Sequence, residues 1–306
     1  MKPHVTCILL NYNQWQLTQD CISSIAFVDY SNLTVLVIDN QSKTHPKSLN
    51  FKSIEYPVFD AYYKNNIISK KSFKRSPFFT IQSDINGGFS YGINIGIKIA
   101  IESLDTDYIW ILNNDTICSK ATLQTLVDQA SPTTIIGSKL VSLHGKPLRS
   151  SGQIHPLLGT SSVINSKNKK MDYIPFTSVL FSQSLAKEIG PLDVSFFLYY
   201  EDADFCYRAV NKGFSLSVCQ LSIIIHNESY TTRCSENQSL CPDWLPIYSR
   251  KIFMKNHGFH PILIFLSLMG SFIKRIAANK FRPAVNILML IYNPRLLLRN
   301  HHYYRK

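Results

Sequence analysis

Tyr108-Ile-Trp-Ile-Leu112 runs straight into Asn113-Asn114-Asp115-Thr116: an apolar strand that ends on a polar, acidic turn. A run this short and this apolar has no polar face to show water, which is how a strand buried in a parallel sheet reads. The same grammar recurs upstream. Val5–Leu10 leads into Asn11-Tyr12-Asn13, and Leu33–Asp39 leads into Asn40-Gln41-Ser42. Helical spacing fills the gaps between these strands, over Trp15–Phe27, over residues 91–103 (Ile93, Ile97, Ala100, Ile101) and over Ala121–Ala130. Strands alternating with helices predict an α/β fold with a mainly parallel sheet covered by helices on both faces. Such sheets bind ligands beyond the carboxyl ends of their strands. Asn11, Asn13, Asp39, Asn113, Asn114 and Asp115 are therefore expected to line one crevice, although Asn and Asp also serve in ordinary turns.

Outward from this frame the signals weaken. Residues between Ser42 and Asp84 show no clear period and read as a surface excursion. Past residue 150, Lys167–Lys170 reads as a turn, Tyr173–Phe181 as a strand, Gln183–Ile189 as a helix stopped by Gly190-Pro191, and Ser222–His226 as a strand. The apolar run Val5–Leu10 is too short for the core of a signal peptide and reads as a buried strand.

The 306 residues carry a net charge of +12, and its placement is informative. Between Trp244 and Lys306 there is no Asp or Glu, and Lys and Arg supply +11, which leaves +1 for the first 243 residues. A nearly neutral body with a basic tail, and no aromatic RNA-binding signature, argues against nucleic acid as the partner. The seven cysteines include no C-x-x-C pair, so a zinc site of the usual spacing is not expected. A reducing compartment fits; Cys234 and Cys241 could pair in an oxidising one.

Three segments carry chemistry. Asp84-Ile-Asn-Gly-Gly-Phe-Ser-Tyr-Gly-Ile-Asn94 opens a helix with closely spaced glycines. Free N–H groups at a helix start favour an anion such as a diphosphate, and glycines that let the helix pack closely would look the same. No Gly-Lys-Ser/Thr follows, which excludes a P-loop. Asp115, at a strand end, suits an oxygen-loving divalent cation such as Mg²⁺ or Mn²⁺, or alternatively caps the next helix. Glu201-Asp202-Ala203-Asp204 sets three carboxylates behind the aromatic run Phe196-Phe-Leu-Tyr-Tyr200. Crowded, partly desolvated acids rise in pKa and become useful general bases. Asp204 with Arg208 also forms an i,i+4 pair that suits a helix start. His226 closes an apolar strand and can serve as a ligand or phosphate donor, or be structural.

In their order, Asn11-Tyr12-Asn13, Val37-Ile38-Asp39-Asn40-Gln41-Ser42, Asn86-Gly87-Gly88-Phe89, Leu112-Asn-Asn-Asp-Thr116, Phe196–Arg208, Gly213-Phe214 and His226-Asn-Glu-Ser229 resemble the bacterial family-2 glycosyltransferases. The resemblance is to the rhamnosyltransferase-like branch of surface-polysaccharide (O-antigen or capsule) assembly, and it spans residues 5 to about 230. It implies a GT-A fold, a nucleotide-diphosphate sugar donor (dTDP- or UDP-linked) and an inverting displacement. By the same resemblance, Asp202 stands at the catalytic base, with Glu201 as second choice. Asp115 and His226 stand at the metal or diphosphate. Asp39, with Asn11, Asn13, Asn86, Gly88, Asn94, Asn113 and Asn114, surrounds the donor. The Asn-Asn-Asp triplet departs from relatives with two or three acids there, which puts metal affinity in question.

The expected organisation is a catalytic part over residues 1–230 (1–118 for the nucleotide sugar, 119–230 for the acceptor) and a basic amphipathic helical tail over 231–306. Apolar stretches at 261–273 and 284–292, interleaved with Lys and Arg, are too short to span a bilayer. They suit an anchor on the anionic cytoplasmic leaflet, where a lipid-linked saccharide acceptor would also be found. The alternative is a helical hairpin packed on the body with a basic solvent face. Competing functions are a nucleotidyltransferase of the same fold and a non-catalytic basic membrane-binding protein.

Overall fold

The computed structural model describes residues 2–57, 61–64, 67–68, 77–163, 171–227, 242–294 and 297. The chain opens with β1 (Val5–Asn11), α1 (Trp15–Ala26) and β2 (Leu33–Asp39). A hairpin of β3 (Ser48–Phe51) and β4 (Ile54–Pro57) follows, then β5 (Ala61–Lys64), β6 (Ile67–Ile68) and β7 (Phe78–Ser83). Next come α2 (Gly88–Glu102), β8 (Tyr108–Asn113), β9 (Thr116–Cys118), α3 (Thr122–Asp128) and β10 (Thr134–Val141). The short pair β11 (Gly152–Ile154) and β12 (Ser161–Val163) precedes β13 (Ser178–Ser182), α4 (Gln183–Ile189), α5 (Glu201–Asn211) and β14 (Ser215–His226). Three helices end the described chain: α6 (Leu245–Asn256), α7 (Pro261–Ala277) and α8 (Phe281–Tyr292).

The main sheet runs β6-β5-β7-β2-β1-β8-β13-β10-β14-β9. Its β5-β7-β2-β1-β8 portion is parallel throughout, and β13 enters antiparallel between β8 and β10. Successive residues of a strand point to opposite faces, and the burial obeys that period. Val5, Cys7 and Leu9 of β1 join one core with Cys21, Ile22 and Ile25 of α1 and Leu123 and Leu126 of α3. Ile8 points the other way, into a second core with the isoleucines of α2 and with Phe205 and Cys206 of α5. Helices thus cover both faces, as the strand–helix alternation requires.

Several boundaries differ from the sequence reading. The excursion is not surface at its ends. Leu49 and Phe51 are buried, Phe51 stacks on Phe78 at 5.5 Å, and Phe78 and Phe79 belong to β7, which lies inside the sheet between β5 and β2. The strand expected over Tyr173–Phe181 begins only at Ser178. Tyr173 makes a single bridge to Gly152, and Pro175 has no N–H to give a ladder. The final strand is 12 residues long because it pairs along all of β10, with a register shift at Ser138/Lys139 that absorbs extra residues as a bulge. The Cys234–Cys241 pairing and the turn at Lys167–Lys170 lie outside the described residues.

The C-terminal helices rest on the body. Phe253 and Met254 of α6 enter the α2–α5 core. Trp244, Leu245, Leu268, Ile287 and Leu290 form a third cluster against Phe197 and Leu198, in the aromatic run before α5.

Candidate active site

Three strand ends meet as the sequence suggested. Asn11 lies level with Asp39 across β1–β2, and Leu10 with Asn113 across β1–β8. A chain of hydrogen bonds ties them together through α1. Asn114 Nδ2 donates to Thr18 Oγ1 (2.9 Å), Thr18 Oγ1 to Asn11 Oδ1 (2.8 Å), and Asn11 Nδ2 to Asp39 Oδ1 (2.8 Å). Ser42 N completes it by donating to Asp39 Oδ2 (2.9 Å). Burial pushes the Asp39 carboxyl up, against the hydrogen bonds from Ser42 and Asn11 that favour its charge.

This network shows where the residues expected around the donor stand. Asn11 and Asp39 are wholly enclosed, so their side chains build the floor of the crevice and hold the turn after β2. Asn13, with φ of 55°, takes its place by accepting from Lys43 N and donating its own N–H to Ser42 Oγ. Asn94 is a tether: its amide donates to Leu192 O at 2.8 Å and accepts from Leu192 N at 2.9 Å. Asn114 is turned toward Thr18, and Asn113 takes part through its main chain, whose N–H donates to Thr177 O.

The glycine-rich turn does two jobs. Gly92 and Gly96 let α2 lie against Leu10 and Ile8 of β1, where a Cβ would meet side-chain carbons at 2.2 and 2.5 Å. Gly88 is different. Its φ is +84°, and a Cβ there would stand 2.3 Å from the carbonyl oxygen of Phe197. Asn86 Oδ1 accepts from Gly88 N, Asn40 Nδ2 donates to Gly88 O, and Phe89 N donates to Phe197 O at 2.7 Å. The start of α2 is thereby pressed against the segment that delivers the acids.

That segment is held in an uncommon backbone. Tyr199 and Tyr200 both have positive φ, 72° and 68°, which costs energy for residues with a Cβ and tends to persist where function requires it. Tyr200 is pinned by its hydroxyl to Gly159 O (2.9 Å), and α5 begins at once with Glu201. Glu201 is buried, and among the described residues its Oε2 has no hydrogen-bond partner. Burial first, and the neighbouring Asp202 charge second, push its carboxyl well above the ordinary range. Burial also raises Asp202 to about 6, while the N–H groups of Ala203 and Phe176 and the Arg149 cation oppose the rise. A carboxyl poised there is ionised at neutral pH yet basic enough to accept a proton.

Around these acids stand residues that sequence reasoning missed. Arg149 Nη1 donates to the Tyr173 hydroxyl at 2.8 Å, beside Asp202. Arg149 belongs to no periodic segment and Tyr173 was expected only as the first residue of a strand, so tertiary structure alone brings them to the acids. Asp204 turns away from the site, as its spacing from Arg208 suggested. Arg208 Nε donates to Asp204 Oδ2 at 2.8 Å and also reaches the carbonyls of Ile189 and Pro191. The second oxygen of Asp204 lies 2.9 Å from His257 Nε2 on α6, whose ring sits 4.4 Å from Tyr207 and 4.5 Å from Phe253. Nothing in the sequence linked His257 to Asp204.

Asp115 and His226 are brought together, Oδ1 to Nε2 at 3.2 Å, because β9 and β14 pair antiparallel with His226 opposite Thr116. Asn227 N–H donates to Asp115 O. One carboxylate oxygen and one imidazole nitrogen, both nearly buried, fit one side of a divalent cation. Among the described residues no third His, Cys, Asp or Glu completes a metal cluster. The remaining positions would fall to diphosphate oxygens and water.

The family model described as Glycosyl transferase family 2 matches residues 6–190. The low-salt glycan biosynthesis hexosyltransferase Agl10 of Haloferax volcanii is 26% identical over 209 residues, covering 64% of this chain and 67% of that protein. Among solved structures, GalNAc-T7 with UDP, GalNAc and Mn²⁺ superposes with a TM-score of 0.58 at 11% identity, over 83% of this chain and 48% of the other. The chain thus spans about half the length of GalNAc-T7. The mannosyltransferase PcManGT from Pyrobaculum calidifontis, in complex with GDP-Man and Mn²⁺, superposes at 0.52 with 12% identity, over 96% of this chain and 88% of the other. The first 349 residues of S. aureus TarS superpose at 0.51 with 14% identity, over 87% and 65%. At these identities the structural likeness speaks for the shared α/β fold.

Proposed function

The chain belongs to glycosyl transferase family 2, and from that premise we propose that it moves a hexose from a nucleotide-diphosphate donor to a saccharide acceptor with inversion at the anomeric carbon. One observation carries the reading: the start of α2, at the strand-end crevice, is hydrogen-bonded to Phe197, four residues before the buried Glu201 and the half-buried Asp202. A donor held in that crevice would turn its sugar toward Asp202, whose carboxyl burial raises to about 6.

Asp202 would take the proton from an acceptor hydroxyl as that oxygen attacks the anomeric carbon from the face opposite the diphosphate. Glu201, whose carboxyl is pushed well above the ordinary range by burial and by the Asp202 charge, would hydrogen-bond rather than compete as base. Arg149 and the N–H groups at the start of α2 offer positive potential to the departing charge. Asp115 and His226 would hold Mg²⁺ or Mn²⁺, whose chemistry is to neutralise the leaving diphosphate. The nucleotide ligands and Mn²⁺ of GalNAc-T7 and PcManGT support a nucleotide-sugar donor and a divalent cation, and the hexosyltransferase in the name of Agl10 supports transfer of a hexose.

For the acceptor we propose a lipid-linked saccharide met at the inner face of the cytoplasmic membrane, on the strength of the acid-free basic C-terminal segment. Rhamnose from dTDP is one donor, and UDP- or GDP-linked hexoses are the others to compare. A thermal-shift panel of dTDP-, UDP- and GDP-sugars, each with and without Mn²⁺ or Mg²⁺, tests donor and cation together. Stabilisation by one nucleotide sugar, enhanced by a divalent cation, is the expected result. A chain that responds to none of them under any cation is not a transferase of this kind.

A further inference from the structure

The outer surface of the C-terminal hairpin is the wrong kind of surface for water. α7 turns Ser267 and Leu268 inward, and α8 turns Ala284, Ile287 and Leu290 inward. On the opposite side of α7 stand Ile262, Phe265, Leu266 and Ile273, between 45% and 61% exposed. Spaced at 0, 3, 4 and 11 residues, they share one helix face. Phe281 and Val285 continue it on α8, at 61% and 48%. A helix amphipathic for packing alone would put polar groups there. These helices are apolar on both sides.

The cations of the segment do not occupy that face. Arg250 is buried with Nη2 donating to Ser267 O, Lys251 Nζ donates to Leu290 O, and Arg275 pairs with Asp243 at 3.2 Å. Lys274, Lys280 and Arg282 remain exposed around the apolar face, and no Asp or Glu follows Asp243 in the sequence. An apolar plateau rimmed only by positive charge is complementary to one surface in particular, a lipid leaflet with anionic headgroups. Among the described residues no helix is long and apolar enough to cross a membrane, so the hairpin would lie in the interface plane.

We propose that the outer face of the α7–α8 hairpin seats in the headgroup region of an anionic leaflet as an interfacial anchor. The proposal rests on, and gives a surface to, the membrane-bound acceptor of the functional reading. The hairpin is also joined to the site. Ser267 Oγ donates to Leu158 O, and the next residue, Gly159, accepts from the hydroxyl of Tyr200, which abuts Glu201. Seating the hairpin thus fixes the acid helix close to the lipid surface.

The test is co-sedimentation of the full chain with vesicles of phosphatidylglycerol and phosphatidylcholine, or of phosphatidylcholine alone. The unmodified chain should bind the anionic vesicles, and binding should weaken as salt rises from about 0.1 to about 0.5 M. A variant carrying I262E, L266E and I273E should lose at least about tenfold in vesicle affinity. Its circular dichroism and nucleotide-sugar thermal shift should not change, because these side chains contact no core. Equal binding by parent and variant, or a parent that ignores anionic vesicles, would overturn the proposal. So would a parent that is a dimer in solution and becomes monomeric in the variant, since the face would then be covered by a second copy. No donor or acceptor enters the sedimentation, so failure here is distinguishable from failure of the transferase reading.

Discussion

Asp202 and His257 make opposite kinds of prediction. Asp202 is the reacting base, so replacing it with Asn should abolish transfer while the donor still stabilises the fold in a thermal shift. In the parent, transfer should rise with pH through a midpoint of about 6, because the base works only when ionised and burial has raised it to that value. Near-normal turnover by D202N, or a flat profile between pH 5 and pH 8, would remove Asp202 from the role. His257 touches no reacting atom; it holds the second oxygen of Asp204, two residues past the base. His257→Ala leaves a buried carboxylate oxygen unsatisfied, at a cost of roughly 1–3 kcal/mol in stability. It should lower kcat more than it raises the donor KM, since the acid helix loosens while the crevice floor stays intact. His257→Gln, which can place an N–H at the same oxygen, should restore most of the rate. Loss of both parameters together in H257A, with no rescue by Gln, would make His257 a purely structural residue.

At the level of elements, Gly88 is where sequence and structure converge most closely. The spacing marked a glycine-rich helix start but left two explanations, anion binding or close packing. Gly92 and Gly96 prove to be packing glycines, and Gly88 is the one at the crevice, forced by positive φ and by the Phe197 carbonyl. Gly88→Ala should destabilise by at least about 1–2 kcal/mol from the left-handed backbone alone and move α2 off the acid segment. The expected readout is a lower melting temperature together with a weaker donor-induced shift; an unchanged donor shift would argue that the start of α2 does not meet the donor. The same comparison explains what could be read beforehand. The buried strands β1, β2 and β8 and the helices α1 and α2 were legible because their patterns are uninterrupted, and α4 because Gly190-Pro191 marks its end. Asp115 and His226 were legible as strand-end residues, but their meeting depends on β9 and β14 pairing across more than 100 residues of chain. Arg149 and His257 were not legible as neighbours of the acids, and Tyr173 was legible only as part of an expected strand. Each reaches the acid helix by tertiary packing, from segments whose local pattern says nothing about what they face.

The whole molecule carries a cost for this site, and that cost has a sign. Glu201 and Asp202 both have carboxyl groups raised by burial, so the folded chain holds protons more tightly than the unfolded one. For such groups the contribution to stability is fully present below the unfolded carboxylate range, near pH 4, and is lost as pH rises through the folded value, about 6 for Asp202. Moving from pH 7.5 to pH 5.5 should therefore raise the melting temperature while it lowers transfer. E201Q and D202N should remove the strain of ionising a buried pair. Each should melt above the parent at pH 7.5, by roughly 2–4 °C for each kcal/mol relieved in a chain of this size. Their advantage should shrink as the pH falls toward 5, where the parent is protonated as well. Such a trade of stability for a poised base is expected of a working site and not of a structural acidic turn. If both variants melt below the parent at every pH, the two carboxylates are structural supports of α5, and the base must be sought elsewhere in the crevice.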